Sequence, residues 1–359
     1  MSFYANLTEA LQAVRTELGD RGRQINEPDN YQKLTGTLNW LFSPDNPDMI
    51  QKIMRATSDA SKYRPVEIAY NQYKGTGDMV TTDASASCAA VDPRRKKIQT
   101  LNPTLFAMDK FTIDDAIIRE GNTEQIQAQL TREIRDASRN IRENINSQLL
   151  SKMAANMGSN PAQSAGAGTY STIELLKADG TVSADNFDQI VNDTEDNFMN
   201  PPVGIIGLGK ARKYMNRLSV GNVNDGGVDV GEVMSEFGMA LFKDQDVLAS
   251  LGGADRVLAL YKGMQSFFNY NLYSGSDFDQ FTPDFATKST IPDPVYGYNL
   301  DFKLKYDDGC DTGNGLQGAW TGSLFTYFDL WTVPEDAFGD EYGDLNDFNG
   351  IVGYDITQA

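Results

Sequence analysis

Three short stretches carry residue types at spacings that could do chemistry. Gly204 to Lys210, GIIGLGK, fits the GxxxxGK of a phosphate-binding loop, in which bare backbone N–H groups wrap phosphate and the lysine reaches the terminal phosphates. Two features oppose that reading. Ala211 stands where a Ser or Thr hydroxyl would hold magnesium, and Ile205 and Ile206 occupy a loop that has to stay bare. Asn200, Pro201 and Pro202 precede the motif where an apolar strand is required. A buried strand of small and branched residues ending at Gly209 is the better account. A nucleotide-binding enzyme using Gly204 to Lys210 stands as the alternative of a different class. Asp311, Thr312 and Gly313 spell the aspartic-protease tripeptide, and two copies of it could share a proton in a homodimer. Asp307, Asp308 and Gly309 precede it where apolar strand residues belong, so a turn between two strands is expected. The clusters at 222–227 and 307–311 resemble calcium loops but lack alternating oxygen ligands closed by a distant glutamate, and both are expected to be turns.

Histidine is absent, which removes the usual general base, the histidine-based catalytic dyads and the commonest metal ligand. Cys88 and Cys310 lie far apart without paired spacing, so neither a disulfide framework nor a zinc site is expected. No catalytic residue, cofactor or metal ligand is assigned, and the expectation is a protein that is not an enzyme. The net charge of -19 opposes a nucleic-acid grip by phosphate neutralisation and attachment to an anionic membrane. No apolar run reaches the ~18 residues of a membrane span. Against this acidic background Arg94, Arg95, Lys96 and Lys97 form a basic cluster. Four adjacent charges are commonly a solvated turn. The sharper expectation is an inter-subunit contact with an acidic surface of a neighbouring copy, setting register and encounter rate.

The elements that would position these residues are legible from periodicity. A chain of 359 residues, 40% hydrophobic, is expected to fold as two or three packed modules. The longest uninterrupted pattern runs from Asn122 to Met157. Ile126, Leu130, Ile134, Ala137, Ile141, Ile145, Leu149 and Met153 recur almost always at spacing four, which predicts one helix. Asn122 with Gln125 caps its start, and Gly158 ends it. A stripe spaced by four drifts around the cylinder, so a rod of roughly 50 Å would face different neighbours at its two ends.

Before this helix, Leu7, Leu11, Val14 and Leu18 predict a short amphipathic helix over 6–18. A second is expected over 30–42 and a third after Pro47 with Met49, Ile50, Ile53 and Met54. These make either an arm or a small helical subdomain. Val66, Ile68 and Tyr70 alternate as a half-exposed strand over 65–73, with a partner expected over 97–108 and a polar tip between. Such a hairpin is marginal alone and must lie against something else. After a Gly/Ala/Ser-rich connector at 159–169, a strand at 172–176 is followed by a helix capped by Ser183 and carrying Phe187, Ile190, Val191 and Phe198. A strand follows at 203–208, then helices through Tyr214 and through Val233, and short apolar runs to Leu272. This order describes a mixed α/β module. Leu300, Phe302, Leu304 and Tyr306 make the cleanest strand, antiparallel to a second over 324–333. The acidic tail 335–359 keeps Phe338, Tyr342, Phe348 and Tyr354, so it is expected to pack.

This order of elements resembles the major capsid proteins of tailed bacteriophages, a fold shared with encapsulin shells and herpesvirus capsid floor domains. The segment from Asp185 to Leu218, with its PPVGIIG strand between two helices, is similar to the axial domains of that family. The resemblance implies an α+β fold with an N-terminal arm at 1–61, an extended hairpin loop at 62–110, a peripheral domain at 111–182 with a spine helix at 122–157, an axial α/β domain at 183–272, and peripheral strands with the acidic tail at 273–359. It implies a structural protein that self-assembles into hexamers and pentamers of an icosahedral shell enclosing phage DNA. It further implies a virion location after assembly in the host bacterial cytoplasm, and partnership with a portal and a scaffolding protein. An encapsulin-like compartment shell is the alternative of the same fold.

Overall fold

The computed structural model describes residues 3–20, 33–43, 46, 52–55, 66–71, 96–114, 123–176, 189–197, 203–207, 233–234, 239–273, 286–307, 319–334 and 348–358. In chain order these form α1 (Phe3–Asp20), α2 (Gly36–Leu41), β1 (Lys52–Arg55), β2 (Val66–Asn71), β3 (Lys96–Leu101), β4 (Leu105–Asp114) and α3 (Thr123–Ala155). Then come β5 (Ser171–Leu176), α4 (Gln189–Asp196), β6 (Val203–Gly207), β7 (Val233–Met234), β8 (Met239–Lys243), α5 (Val247–Leu251), β9 (Arg256–Tyr261) and β10 (Gln265–Tyr270). The last strands are β11 (Ala286–Pro292), β12 (Asn299–Asp307), β13 (Ala319–Thr332) and β14 (Ile351–Gln358). The chain divides into two compact units. The first gathers residues 1–32, 103–145 and 269–329, and the second gathers 33–102, 146–268 and 330–359.

In the first unit β13 pairs antiparallel with β12 and with β4, over residues that overlap, so the two partners flank it on opposite edges. β11 completes the order β4–β13–β12–β11, and β10 also pairs with β13. Period-two burial follows from the pleat. Leu300, Phe302 and Leu304 of β12, Trp320, Leu324 and Phe328 of β13, and Ala107, Phe111 and Ile113 of β4 all turn inward. Gly322 makes this possible. A Cβ there would lie 2.2 Å from the Phe111 ring, which stacks on Phe302. α1 packs against β11 and buries Leu7, Ala10, Leu11 and Val14.

The α3 helix runs unbroken for 33 residues. All eight stripe residues, Ile126 through Met153, are at most 3% exposed, each burial contributing roughly 1.5–3 kcal/mol for the larger aliphatics. The helix ends at Ala155, before the expected Gly158, whose N–H is donated to the Ile351 carbonyl instead. Asn122 lies outside the described residues.

The second unit holds a six-stranded mixed sheet in the order β5–β14–β9–β6–β8–β7, and a smaller antiparallel sheet β1–β2–β3. β14 lies between β5, which it meets parallel, and β9, which it meets antiparallel. The tail therefore packs as an interior strand, with Phe348 and Tyr354 fully buried. Ile68 and Tyr70 of β2 join one hydrophobic core with Val203, Ile205, Leu241, Val257, Tyr261, Trp331 and Tyr354.

Several expected elements differ. Ile53 and Met54 were expected in a helix but lie in β1, where Ile53 stands opposite Ile68, because pairing with β2 outweighs the helical preference of so short a segment. The strand expected over 97–108 is two strands in different sheets. Pro103, which has no N–H to donate, falls between β3 and β4. The helix expected over 30–42 contracts to Gly36–Leu41, Val233 sits in the two-residue strand β7, and the apolar run Val247–Leu251 is a helix. The second axial helix near Tyr214, Cys88, Cys310, Asp311 to Gly313 and the 222–227 cluster lie outside the described residues.

Candidate assembly surfaces

Gly204, Ile205, Ile206 and Gly207 form most of β6, flanked by β8 in parallel and β9 antiparallel, and all are buried. Their backbone donors serve a central ladder, so they cannot wrap a phosphate. A Cβ on Gly204 would lie 2.4 Å from the Trp40 ring, so this glycine makes room for an indole. The nucleotide-binding alternative thus loses its loop to a strand. Lys210 lies outside the described residues.

Of the basic cluster, Lys96 and Lys97 open β3, opposite Asn71 and Tyr70 at one end of the β2–β3 ladder. Arg94 and Arg95 lie outside the described residues. The same ladder is anchored in the core: Trp331 Nε1 donates to Gln99 Oε1 at 2.8 Å, and the Trp331 ring lies 6.3 Å from that of Tyr70, which stands opposite Lys97. Two strands too apolar-poor to fold alone are held by this core, which takes in Ile68, Tyr70 and Trp331.

Two buried carboxylates gather distant segments of the second unit. Asp244 Oδ2 accepts from Thr37 N at 2.9 Å, Thr37 Oγ1 at 2.8 Å and Asn146 Nδ2 at 2.8 Å, while its Oδ1 accepts from Asp246 N. It thereby joins α2 to the end of α3. Lys33 pairs with Asp246 beside it. Asp193 of α4 accepts from Asn160, Gln163, Gln189 and the Tyr354 hydroxyl. Burial pushes the Tyr354 hydroxyl well above its usual range.

Burial also raises the Asp244 carboxyl above its ordinary 3.8, against the pull of its N–H and O–H donors. A carboxyl whose pKa is higher folded than unfolded binds its proton more tightly when folded. Its contribution to stability is fully present below 3.8 and is lost as pH rises through the raised folded value. Thermal unfolding of unassembled protein should show it: on acidification from neutral pH towards 3.8 the wild type gains more, or loses less, than Asp244→Asn, which cannot titrate. Identical pH profiles for the two proteins would contradict the assignment.

A basic feature absent from the sequence expectations lies on α3. Arg132, Arg135 and Arg139, spaced three and four apart on one face, line a groove of about 730 Å³ together with Thr131, Asp136 and Glu143. The spacing was visible in the sequence, but Arg142 continues it and turns inward to Asp293. Only Arg139 of the three carries an ion pair described within the helix, to Asp136 at 3.4 Å.

No known protein family matches the sequence, and no curated protein does. Among solved structures, the capsid asymmetric unit of cyanophage A-1(L) matches with a TM-score of 0.50 at 13% identity, covering 92% of this chain and 95% of that one. The chain has the fold of the tailed-phage major capsid proteins. The capsid of Ralstonia phage GP4 matches at a TM-score of 0.43 and 9% identity over 92% of this chain and 93% of that one. The cyanophage Pam1 capsid asymmetric unit matches at 0.40 and 9% over the same shares. The buried GIIG motif is a strand of this fold.

Proposed function

We propose that this chain is the major capsid protein of a tailed bacteriophage, a structural protein rather than an enzyme. Copies join into hexamers and pentamers of an icosahedral shell around DNA, assembled in the host cytoplasm with a scaffolding protein and a portal. The observation that carries this reading is the fold likeness to a phage capsid over nearly the full length of both chains. The division of labour follows the sequence: residues 1–61 act as an arm, 62–110 as an extended hairpin reaching a neighbour, 183–272 as the axial domain, and the remainder as the peripheral domain around α3. A net charge of -19 suits a container that holds DNA without gripping it.

Electron microscopy of the protein expressed with its scaffold tests the proposal. Closed icosahedral shells are expected, and a monomer under all assembly conditions would contradict it. In the same assay, reversing Arg94, Arg95, Lys96 and Lys97 to acidic residues should cut shell yield by about tenfold or more while the monomer stays folded. Unchanged yield would remove the hairpin cluster from the contact.

A further inference from the structure

The register of the first unit's sheet places lysines where no single strand would show them. Lys288 of β11 stands opposite Lys303 of β12, Lys303 opposite Ser323 of β13, and Ser323 opposite Lys110 of β4. One cross-strand row therefore reads Lys–Lys–Ser–Lys. Strands about 4.8 Å apart spread it over roughly 15 Å. Lys305, two residues along β12, stands on the same outward face, since the alternate residues Leu300, Phe302 and Leu304 are buried on the other.

None of the four lysines makes an ion pair among the described residues, and Lys288 lies instead over the Tyr273 ring at 5.7 Å. The neighbouring carboxylate, Asp301, is engaged by the backbone N–H groups of Leu272 at 2.7 Å and Tyr273 at 3.0 Å. Beside the lysine row runs an apolar one. Met108 stands opposite Phe325 and Phe106 opposite Tyr327, with the Phe106 ring 4.8 Å from that of Tyr327. Phe106 is 40% and Met108 47% exposed.

Like charges directly opposite on a sheet oppose folding, and exposed Phe and Met gain nothing from water. A face arranged this way has its use outside the chain. We propose that it docks a carboxylate-bearing surface of a second copy of this protein, with Phe106 and Met108 as the apolar anchor and the lysines around it. This rests on the shell-forming reading above. The partner follows from charge: each copy carries 50 acidic against 31 basic residues, so carboxylates are the groups a neighbour supplies in excess. Phosphate backbone would leave the Phe106 and Met108 anchor unused, and the chain's overall charge repels it.

The test uses full-length protein under conditions in which the wild type forms shells. Lys288→Glu with Lys303→Glu should lower shell yield by about tenfold or more, with far-UV circular dichroism unchanged. Lys288→Gln with Lys303→Gln, which relieves the repulsion without reversing it, should melt at or above the wild-type temperature, assemble less well, and lose part of the salt dependence of wild-type assembly. It keeps the question answerable if the reversal misfolds. Wild-type yield and salt dependence in the glutamine pair would overturn the proposal. Normal shells that retain less DNA would also overturn it and assign the face to nucleic acid. If the wild type itself forms no shell, the capsid reading falls and this proposal with it.

Discussion

Asp293→Ala should destabilise the unassembled protein by about 3–5 kcal/mol in urea denaturation, or prevent its accumulation as soluble protein. Asp293 is 1% exposed and satisfies four donors at once. Its Oδ1 accepts from Ser138 Oγ at 2.9 Å and Arg142 Nε at 3.3 Å, and its Oδ2 from the N–H groups of Val295 at 3.0 Å and Tyr296 at 2.8 Å. Alanine would remove the carboxylate that pairs with a guanidinium only 6% exposed and that accepts from two backbone N–H groups. Ser138 and Arg142 are one helical turn apart, so this carboxylate clamps the 293–298 turn to the middle of α3. Asp293→Asn, which keeps an acceptor but not the charge, should fall between the two. A loss below about 1 kcal/mol for alanine would show that the ion pair is dispensable.

The second large effect is expected at Gly204. Gly204→Val should cost about 3 kcal/mol or more, because the new Cβ would lie 2.4 Å from the Trp40 ring. Trp40 cannot yield easily: it is fully buried and meets the Phe242 ring edge-on at 5.4 Å. The decisive measurement is a double-mutant cycle. Removing the indole with Trp40→Ala should absorb much of the penalty of Gly204→Val, so the two losses should sum to more than the double variant shows. Strict additivity would mean that the valine is harmful for another reason.

Long periodic segments were readable from sequence because period and burial agree over many residues. The spacing of four over 126–153 identified α3 and eight of the residues it buries, while Leu150 and the polar Ser138, Arg142 and Asn146 are buried beside them. The alternation at 300–304 likewise identified β12 and its inward face. Short segments were not readable. Lys52–Arg55 and Val233–Met234 are too brief for a period, and their strand state is decided by partners far along the chain. β14 was missed for a related reason: Gly353 and Asp355 interrupt its apolar residues, and its place between β5 and β9 is a tertiary fact. The lysine row was hidden most completely. Lys110, Lys288 and Lys303 belong to three separate strands, and only the register aligns them. The α3 arginines stand three and four residues apart in the sequence, yet Arg142 shares that spacing and faces inward, so spacing alone does not separate those lining the groove from the buried one.

The path of the chain sets the order of events in folding. Each compact unit is assembled from three separate segments, so the backbone passes back and forth before either is complete. β4 is made early, yet Phe111 finds its ladder partner only at Gly322, and Ile173 waits for Ile356. Closing a loop of that length costs on the order of 5 kcal/mol before any contact repays it. Such a chain has high contact order and is expected to fold slowly, with neither unit able to form first as an independent kernel. Until the late strands arrive, the early ones expose unpaired edges and apolar faces. The vulnerable period is therefore synthesis itself, and a folding helper acting there would govern how many chains reach the folded state.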